Sequence, residues 1–533
     1  MVRQQMDLTW HYVEKWAREK PDSEALVFGD QRLTWQQFQH EMDLAAKAFL
    51  AAGVEPGQCV AMLAMARTEF AVTYMAAAKV GALWLGLTPK HTLDELRYQI
   101  ADSRPAVLIA VRSYLDKDLG ETLRALAAEF DFLKRVIVIG EPIDGAVGYA
   151  RFVRAERPEL AEALQRRAGR VQPDDPMLVM YTSGSTGKPK GVVHTHRSII
   201  ANIRRELEYF HMNEADRALL HFPINHVAAD VEIGFATIMG GGTLVFLDRF
   251  DPGESLRIIQ QEKITVLGQI PVMFLLQFKD PGFFTTDFSS VRAFIWAGAA
   301  APKIMMDLLG HVCSQTGATM ITGYGSTEVC GFVTYTRPGD DRDTLMRTAG
   351  GVAEPFELRI VDSERRELPD GEIGEIAVRG PFLMQGYLNR PADTAAVIDA
   401  QGWYYTGDLA SRDARGYITI AGRISEMFKT GGENVYPREI EELLESHDKV
   451  LFAAVVAVPD ALYQEVGWAY VMPMPGQTVT GEALEALCRA KMANYKVPKR
   501  FFIRELLPML GSGKVDKLAL KQEIAAGAGN GKQ

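Results

Sequence analysis

The sequence predicts an α/β fold spread over more than one domain, and three observations carry that expectation. Over the first 170 residues, helical patterns alternate with short apolar runs such as 59–65 and 106–111, the texture of strands covered by helices. A chain of 533 residues exceeds one ordinary domain. Two later apolar runs, at 294–297 and 320–321, each open into a glycine-centred turn, and strands of an open α/β sheet present ligand-binding loops at their carboxyl ends.

Taken in order, residues 37–52 carry apolar side chains at helical spacing and stop at Gly53, a natural helix end. The chain is 47% hydrophobic and 24% charged, an ordinary globular balance. Its formal net charge of −10 argues against nucleic acid as the main partner, because neutralising a phosphate backbone needs a basic face. Cysteines 59, 313, 330 and 488 are scattered, so neither a disulfide framework nor a zinc site is indicated, and a reducing cytoplasm fits. The N-terminus lacks an apolar signal core and no run of eighteen apolar residues occurs, so no membrane span is expected.

The apolar run 177–180 leads into Tyr-Thr-Ser-Gly-Ser-Thr-Gly-Lys-Pro-Lys-Gly at 181–191. Four small hydroxyl side chains, three glycines and two lysines make a loop suited to cradling phosphates, since glycines let backbone N–H groups approach an oxyanion. It is not a Walker A loop: Lys188 follows Gly187, but Pro189 stands where that pattern needs Ser or Thr. His194 and His196 could pass for a metal pair, yet no third ligand lies at a useful spacing.

Further signals follow along the chain. His-Phe-Pro-Ile-Asn-His ends at His226; the strand at 294–297 runs into Gly298 and Ala299; and Thr322 opens the string Thr-Gly-Tyr-Gly-Ser-Thr-Glu that ends at Glu328. Asp408 closes Trp-Tyr-Tyr-Thr-Gly-Asp, offering a carboxylate that can accept from paired ribose hydroxyls, and Arg423 adds a guanidinium. Lys429, Thr430, Gly431 and Gly432 precede a helix start at Pro437, and Lys514 sits in a glycine-rich loop after Pro508.

In this order the strings closely resemble the motifs of the adenylate-forming superfamily, which includes acyl-CoA synthetases, luciferases and the adenylation domains of peptide synthetases. The likeness runs from Leu33-Thr34-Trp35 to Lys517 and sides with the fatty, aryl and alicyclic acid CoA ligases. It implies a large N-terminal adenylation domain of layered sheets and helices at 1–424, and a small mobile α+β lid at 425–533. The implied reaction is carboxylate plus ATP and CoA giving acyl-CoA, AMP and diphosphate through an acyl-adenylate. The acid is expected to be a medium-sized apolar monocarboxylate, because the pocket segments 221–234, 268–274, 296–301 and 324–331 carry no lysine or arginine for a second carboxylate. A ligase donating to a carrier protein's phosphopantetheine arm is the alternative; a luciferase-like oxygenase would share the adenylation motifs.

By the same resemblance, Thr182, Ser183, Gly184, Ser185, Thr186, Gly187, Lys188 and Lys190 hold the phosphates. Gly298 and Ala299 border the adenine, and Gly323, Tyr324, Gly325, Ser326 and Thr327 form the nucleotide turn, with Tyr324 stacking and Thr327 on the α-phosphate. Thr182 and Glu328 hold Mg²⁺, His226 lines the acyl pocket, Asp408 takes the ribose, and Arg423 takes the ribose or phosphate. Lys429 begins the lid, Gly431 and Gly432 line the thiol path, and Lys514 is the catalytic lysine. Ser425, two places after Arg423, occupies the hinge position. A homodimer and a lysine acetyltransferase acting on Lys514 are the remaining partners that the resemblance brings to mind.

Overall fold

The computed structural model describes residues 6–154, 157–182, 188–509 and 515–526. Two large sheets dominate the first two thirds of the chain. One has seven strands in the order Thr319–Thr322, Ala293–Trp296, Val266–Gln269, Arg217–Leu220, Thr243–Phe246, Glu24–Phe28 and Gln31–Thr34, parallel up to the last. The other has eight, in the order Gly386–Tyr387, Lys190–Thr195, Pro176–Thr182, Leu83–Leu87, Cys59–Leu63, Val107–Val111, Arg135–Ile139 and Val147–Gly148. The central strands of both read as continuous apolar runs because both faces are covered.

Helix Thr68–Lys79 shows how the sheets are joined. Its sequence, TEFAVTYMAAAK, is apolar around nearly the whole circumference, and every residue but Glu69 is buried. A helix of that kind belongs inside a protein, and this one touches both Glu24–Phe28 of one sheet and Leu83–Leu87 of the other. Its terminal Lys79 is buried too, and the ammonium meets Glu14 at 2.6 Å and Asp43 at 2.7 Å. The helix expected at 37–52 spans Trp35–Ala51: Thr34 and Gln37 form a capping box, and Gly53 takes φ +74° just beyond the end. The strands expected at 59–65 and 106–111 are Cys59–Leu63 and Val107–Val111.

A smaller antiparallel sheet, Glu357–Val361, Gly374–Arg379, Tyr404–Arg412 and Ile418–Arg423, follows. Its last strand ends at Arg423, and the next strand, Phe428–Thr430, already belongs to a different sheet. That C-terminal sheet combines Glu433–Val435, Phe428–Thr430, Gln464–Pro473 and Val450–Asp460, with Arg500–Ile503 parallel to Gln464–Pro473. Helices Pro437–Glu445 and Gly481–Lys491 pack on it around a separate apolar cluster centred on Ile440, Leu444 and Val455. The fold is therefore α/β, with a large N-terminal and a small C-terminal domain. The two parts touch through Leu451, which joins the cluster of Met305 and Leu309, and through a Lys303–Asp448 ion pair of 3.0 Å. No helix is long and apolar enough to cross a membrane among the described residues.

Candidate active site

A cavity of about 770 Å³ opens at the carboxyl ends of strands from both large sheets. One part of its wall is polar, with Thr182, Glu328, Asp408 and Arg423; another is apolar, with Phe210, Met212, Val266 and Ile295. This is the division expected of a site that grips a nucleotide at one end and an organic acid at the other.

The phosphate-loop motif is the connection of a β-hairpin. Pro176–Thr182 pairs antiparallel with Lys190–Thr195, and Thr182 stands opposite Lys190 at its mouth. A Walker A loop would lead from a strand into a helix, so the geometry agrees with the sequence in excluding one. Thr182 and Lys190 both line the cavity, and the Lys190 ammonium lies 3.2 Å from Asp393 and over the Tyr387 ring. Lys188 lies over the ring of Tyr98. Ser183, Gly184, Ser185, Thr186 and Gly187 lie outside the described residues, as does Lys514.

His194 and His196 are buried with separate partners and do not form a metal pair. His196 Nδ1 lies 3.0 Å from the Thr9 hydroxyl. His194 Nε2 lies 2.7 Å from the carbonyl oxygen of Thr327, and its Nδ1 lies 3.2 Å from Ser198 Oγ. A carbonyl only accepts, so the proton sits on Nε2 and the ring is neutral. Burial pushes its pKa down to about 4, which keeps that tautomer at neutral pH. His194 thereby ties the hairpin to the short turn Thr327–Val329, which carries Thr327 and Glu328 into the cavity.

At the nucleotide end, Asp408 is nearly buried and held from two sides. The Tyr324 hydroxyl donates to Oδ2 at 2.7 Å, and Arg423 Nε lies 3.0 Å from Oδ1. Arg423 therefore stays firmly cationic, with its pKa raised chiefly by Asp408. Gly298, Gly325 and Ser326 also line the wall, and the Ser326 hydroxyl is buried without a partner. Glu328 Oε1 accepts from the Tyr387 hydroxyl at 3.2 Å. Thr182 and Glu328 share the cavity as hard oxygen donors, which suits Mg²⁺ because that ion takes few protein ligands and completes its shell with phosphate oxygens and water. Groups of three or more His, Cys, Asp or Glu placed to hold a metal by themselves are absent among the described residues.

Several expected residues are not brought to the wall. Ala299 is exposed and does not line the cavity. Gly323 serves packing instead: a Cβ there would lie 2.0 Å from Thr334 O. Tyr324 reaches the site through its hydroxyl, its ring being part of an apolar cluster with Phe332 and Tyr335. Lys429, Gly431 and Gly432 sit on the small domain's hairpin, away from the cavity.

The acyl end is bounded by Ala228–Phe235, a π-helix, whose wider turns set Ala228, Glu232 and Ile233 on the wall beside His226. The segment carries no basic residue, but its Glu232 lines the cavity. The sequence signal for it is weak but present: Glu232 is one of two acids, with Asp230, in the otherwise apolar stretch 227–235. Gln269, with both amide atoms buried and unpartnered, and Tyr387, from a two-residue edge strand, also line the cavity. Nothing in the local sequence marks Tyr387.

An open α/β sheet ending in a cavity with a phosphate-type hairpin, a held carboxylate and an apolar extension defines a nucleotide-dependent enzyme acting on an organic substrate. The profile of the AMP-binding enzyme family matches residues 13–388, and that of the AMP-binding enzyme C-terminal domain matches 439–514. A feruloyl-CoA synthase of Amycolatopsis sp is 34% identical over 94% of this chain and 96% of its own. The medium-chain fatty-acid–CoA ligase of Escherichia coli strain K12 is 30% identical over 96% of this chain and 90% of its own. A solved structure of an anthranilate CoA ligase in complex with anthranoyl-AMP superposes with a TM-score of 0.87 at 25% identity, covering 98% of both chains. The chain belongs to the AMP-binding enzyme family, as an AMP-forming acyl-CoA synthetase.

Proposed function

We propose that the protein activates a medium-sized monocarboxylic acid with ATP and Mg²⁺ and transfers the acyl group to coenzyme A. The observation that carries this reading is the continuity of the cavity: the polar wall of Thr182, Glu328 and Asp408 and the apolar wall of Met212, Val266 and Ile295 belong to one space. In the first half-reaction a carboxylate oxygen attacks the α-phosphorus and the bond to pyrophosphate breaks. The attacking group is already ionised, so no general base is needed, and catalysis consists of positioning and charge stabilisation. Asp408 accepts from the ribose hydroxyls, Thr327 bonds the α-phosphate, and Gly298 borders the adenine. Thr182 and Glu328 would hold Mg²⁺, which spreads phosphate charge. In the second half-reaction the thiol sulfur attacks the acyl carbon, AMP leaves, and the thiol proton passes to solvent.

Lys514 stabilises charge on the reacting phosphate and departing pyrophosphate in the first step only. Lys514→Ala is expected to slow acid-dependent pyrophosphate release by about 10²-fold or more, while conversion of supplied acyl-AMP and CoA to acyl-CoA continues. Equal loss in both half-reactions would contradict that role. The domain boundary falls at residues 424–425 in this reading, and free CoA rather than a carrier protein is the acceptor, which an acceptor assay with both thiols decides. Relatives acting on fatty and aromatic acids support the size class. They leave the chemistry of the substrate's far end open.

A further inference from the structure

Glu232 lies on the cavity wall, and directly behind it stands a second acid. Glu206, on helix His196–Tyr209, is wholly buried; its Oε1 accepts from the Phe332 backbone N–H at 3.1 Å, and its Oε2 has no partner. Gly331 separates the two side chains: a Cβ at that position would lie 2.5 Å from Glu206 Oε1 and 3.2 Å from Glu232 Cγ. The neighbouring Asn202 spends both amide hydrogens on the carbonyls of Val329 and Phe332, each at 2.9 Å, which leaves its Oδ1 without a partner as well. No hydrogen bond or ion pair reaches the Glu232 carboxyl among the described residues.

Two acids placed in an otherwise apolar wall carry a cost. A buried polar atom without a partner gives up its water and gains no hydrogen bond in return. With no lysine or arginine beside them, the acids are held toward the neutral form: burial raises the pKa of both, and the charge of Glu232 raises Glu206 further. Protonated carboxyls both donate and accept. Around them the wall carries the apolar side chains of Phe210, Met212, Ala218 and Phe332. A plain hydrocarbon would fill such a wall best if position 232 were apolar.

We propose that Glu232, backed by Glu206, is a hydrogen-bonding subsite for the end of the acyl substrate remote from its carboxylate, and that the natural acid carries a hydroxyl group there. A hydroxyl is a small neutral group that both donates and accepts, and so meets both needs of a protonated carboxyl. The proposal deepens the ligase reading and rests on it. It also revises the expectation of an apolar acid: the body is apolar, the tip is not.

The test uses matched pairs, 4-hydroxyphenylpropanoate against phenylpropanoate and 8-hydroxyoctanoate against octanoate, with acid-dependent pyrophosphate release as readout. Wild type should favour the hydroxylated member of at least one pair by about 10-fold or more in kcat/KM, because a site built to bond a hydroxyl rejects the analogue lacking it. Glu232→Gln, which keeps both hydrogen-bonding roles, should retain the preference, and Glu232→Leu should reverse it. Ratios within a pair cancel any difference in folded fraction. Turnover of both pairs with no preference, or a preference unmoved by Glu232→Leu, overturns the subsite alone. No ATP-dependent turnover of any of the four acids contradicts the ligase reading and the subsite with it.

Discussion

His221 shows how a single residue's burial becomes measurable. It is enclosed between the rings of Phe222 and Phe250, with neither ring nitrogen partnered, and burial alone pushes its pKa down to about 3. A depressed histidine stabilises the fold above its unfolded pKa of about 6.5 and loses that contribution as pH falls toward the folded value. His221→Phe should therefore become more stable relative to wild type by about 2 kcal/mol between pH 7 and pH 5. Chemical unfolding at the two pH values checks this, and a pH-independent difference would show the ring is not held neutral. The same scale marks the limit of the sequence reading. Thr182, Glu328, His226 and Asp408 were legible because each stands in a string of neighbours that signals it, and the cavity gathers all four. Tyr387 and Glu206 were not, because each reaches the site through packing between elements far apart in sequence.

Local elements were legible where a cap or a turn leaves a mark. The helix Trp35–Ala51 begins two residues before the expected start because Thr34, capping it with Gln37, outranks the first apolar position as a boundary. The π-helix Ala228–Phe235 was not legible, since its widened turns leave no periodic signature in the sequence. Gly431 and Gly432 have a structural reason of their own: they form the two-residue turn between Phe428–Thr430 and Glu433–Val435, with φ +59° and +93°, the left-handed pair that such a hairpin needs. The turn alone explains the glycines, so their service to the thiol path needs a separate test. Asparagine tolerates the left-handed region, and a Cβ at Gly431 meets only Tyr463 at an ordinary 3.6 Å. Gly431→Asn should keep the hairpin and adenylation within a few-fold while slowing thioester formation by about 10-fold or more through the added side chain. Unchanged thioester formation would leave the turn as the glycine's whole purpose.

Across the whole molecule, the connection between the two parts is short. Arg423 closes one sheet, Phe428 opens the next, and residues 424–427 turn between them, with the N–H groups of Glu426 and Met427 both donating to the Arg423 carbonyl. Ser425 lies in this turn and on the cavity wall. If the small domain presents Lys514 for adenylation and the Gly431 turn for acyl transfer, the change of orientation passes through these few residues. Proline at 425 fixes φ near −65° and drives Ile424 out of the helical region. Ser425→Pro should therefore uncouple the half-reactions, one surviving within a few-fold and the other falling by about 10-fold or more. Parallel losses in both would place the pivot elsewhere.

The most direct test of the central claim, that one cavity joins a carboxylate to the α-phosphate of ATP, follows an oxygen atom. An acid labelled with ¹⁸O in its carboxylate is turned over with ATP and CoA, and the products are read by mass spectrometry. Attack on the α-phosphorus followed by thiol displacement leaves one labelled oxygen in AMP, none in pyrophosphate, and acyl-CoA retaining the other. Label in inorganic phosphate with ADP as the product, or thioester formed with no label in AMP, would contradict the account.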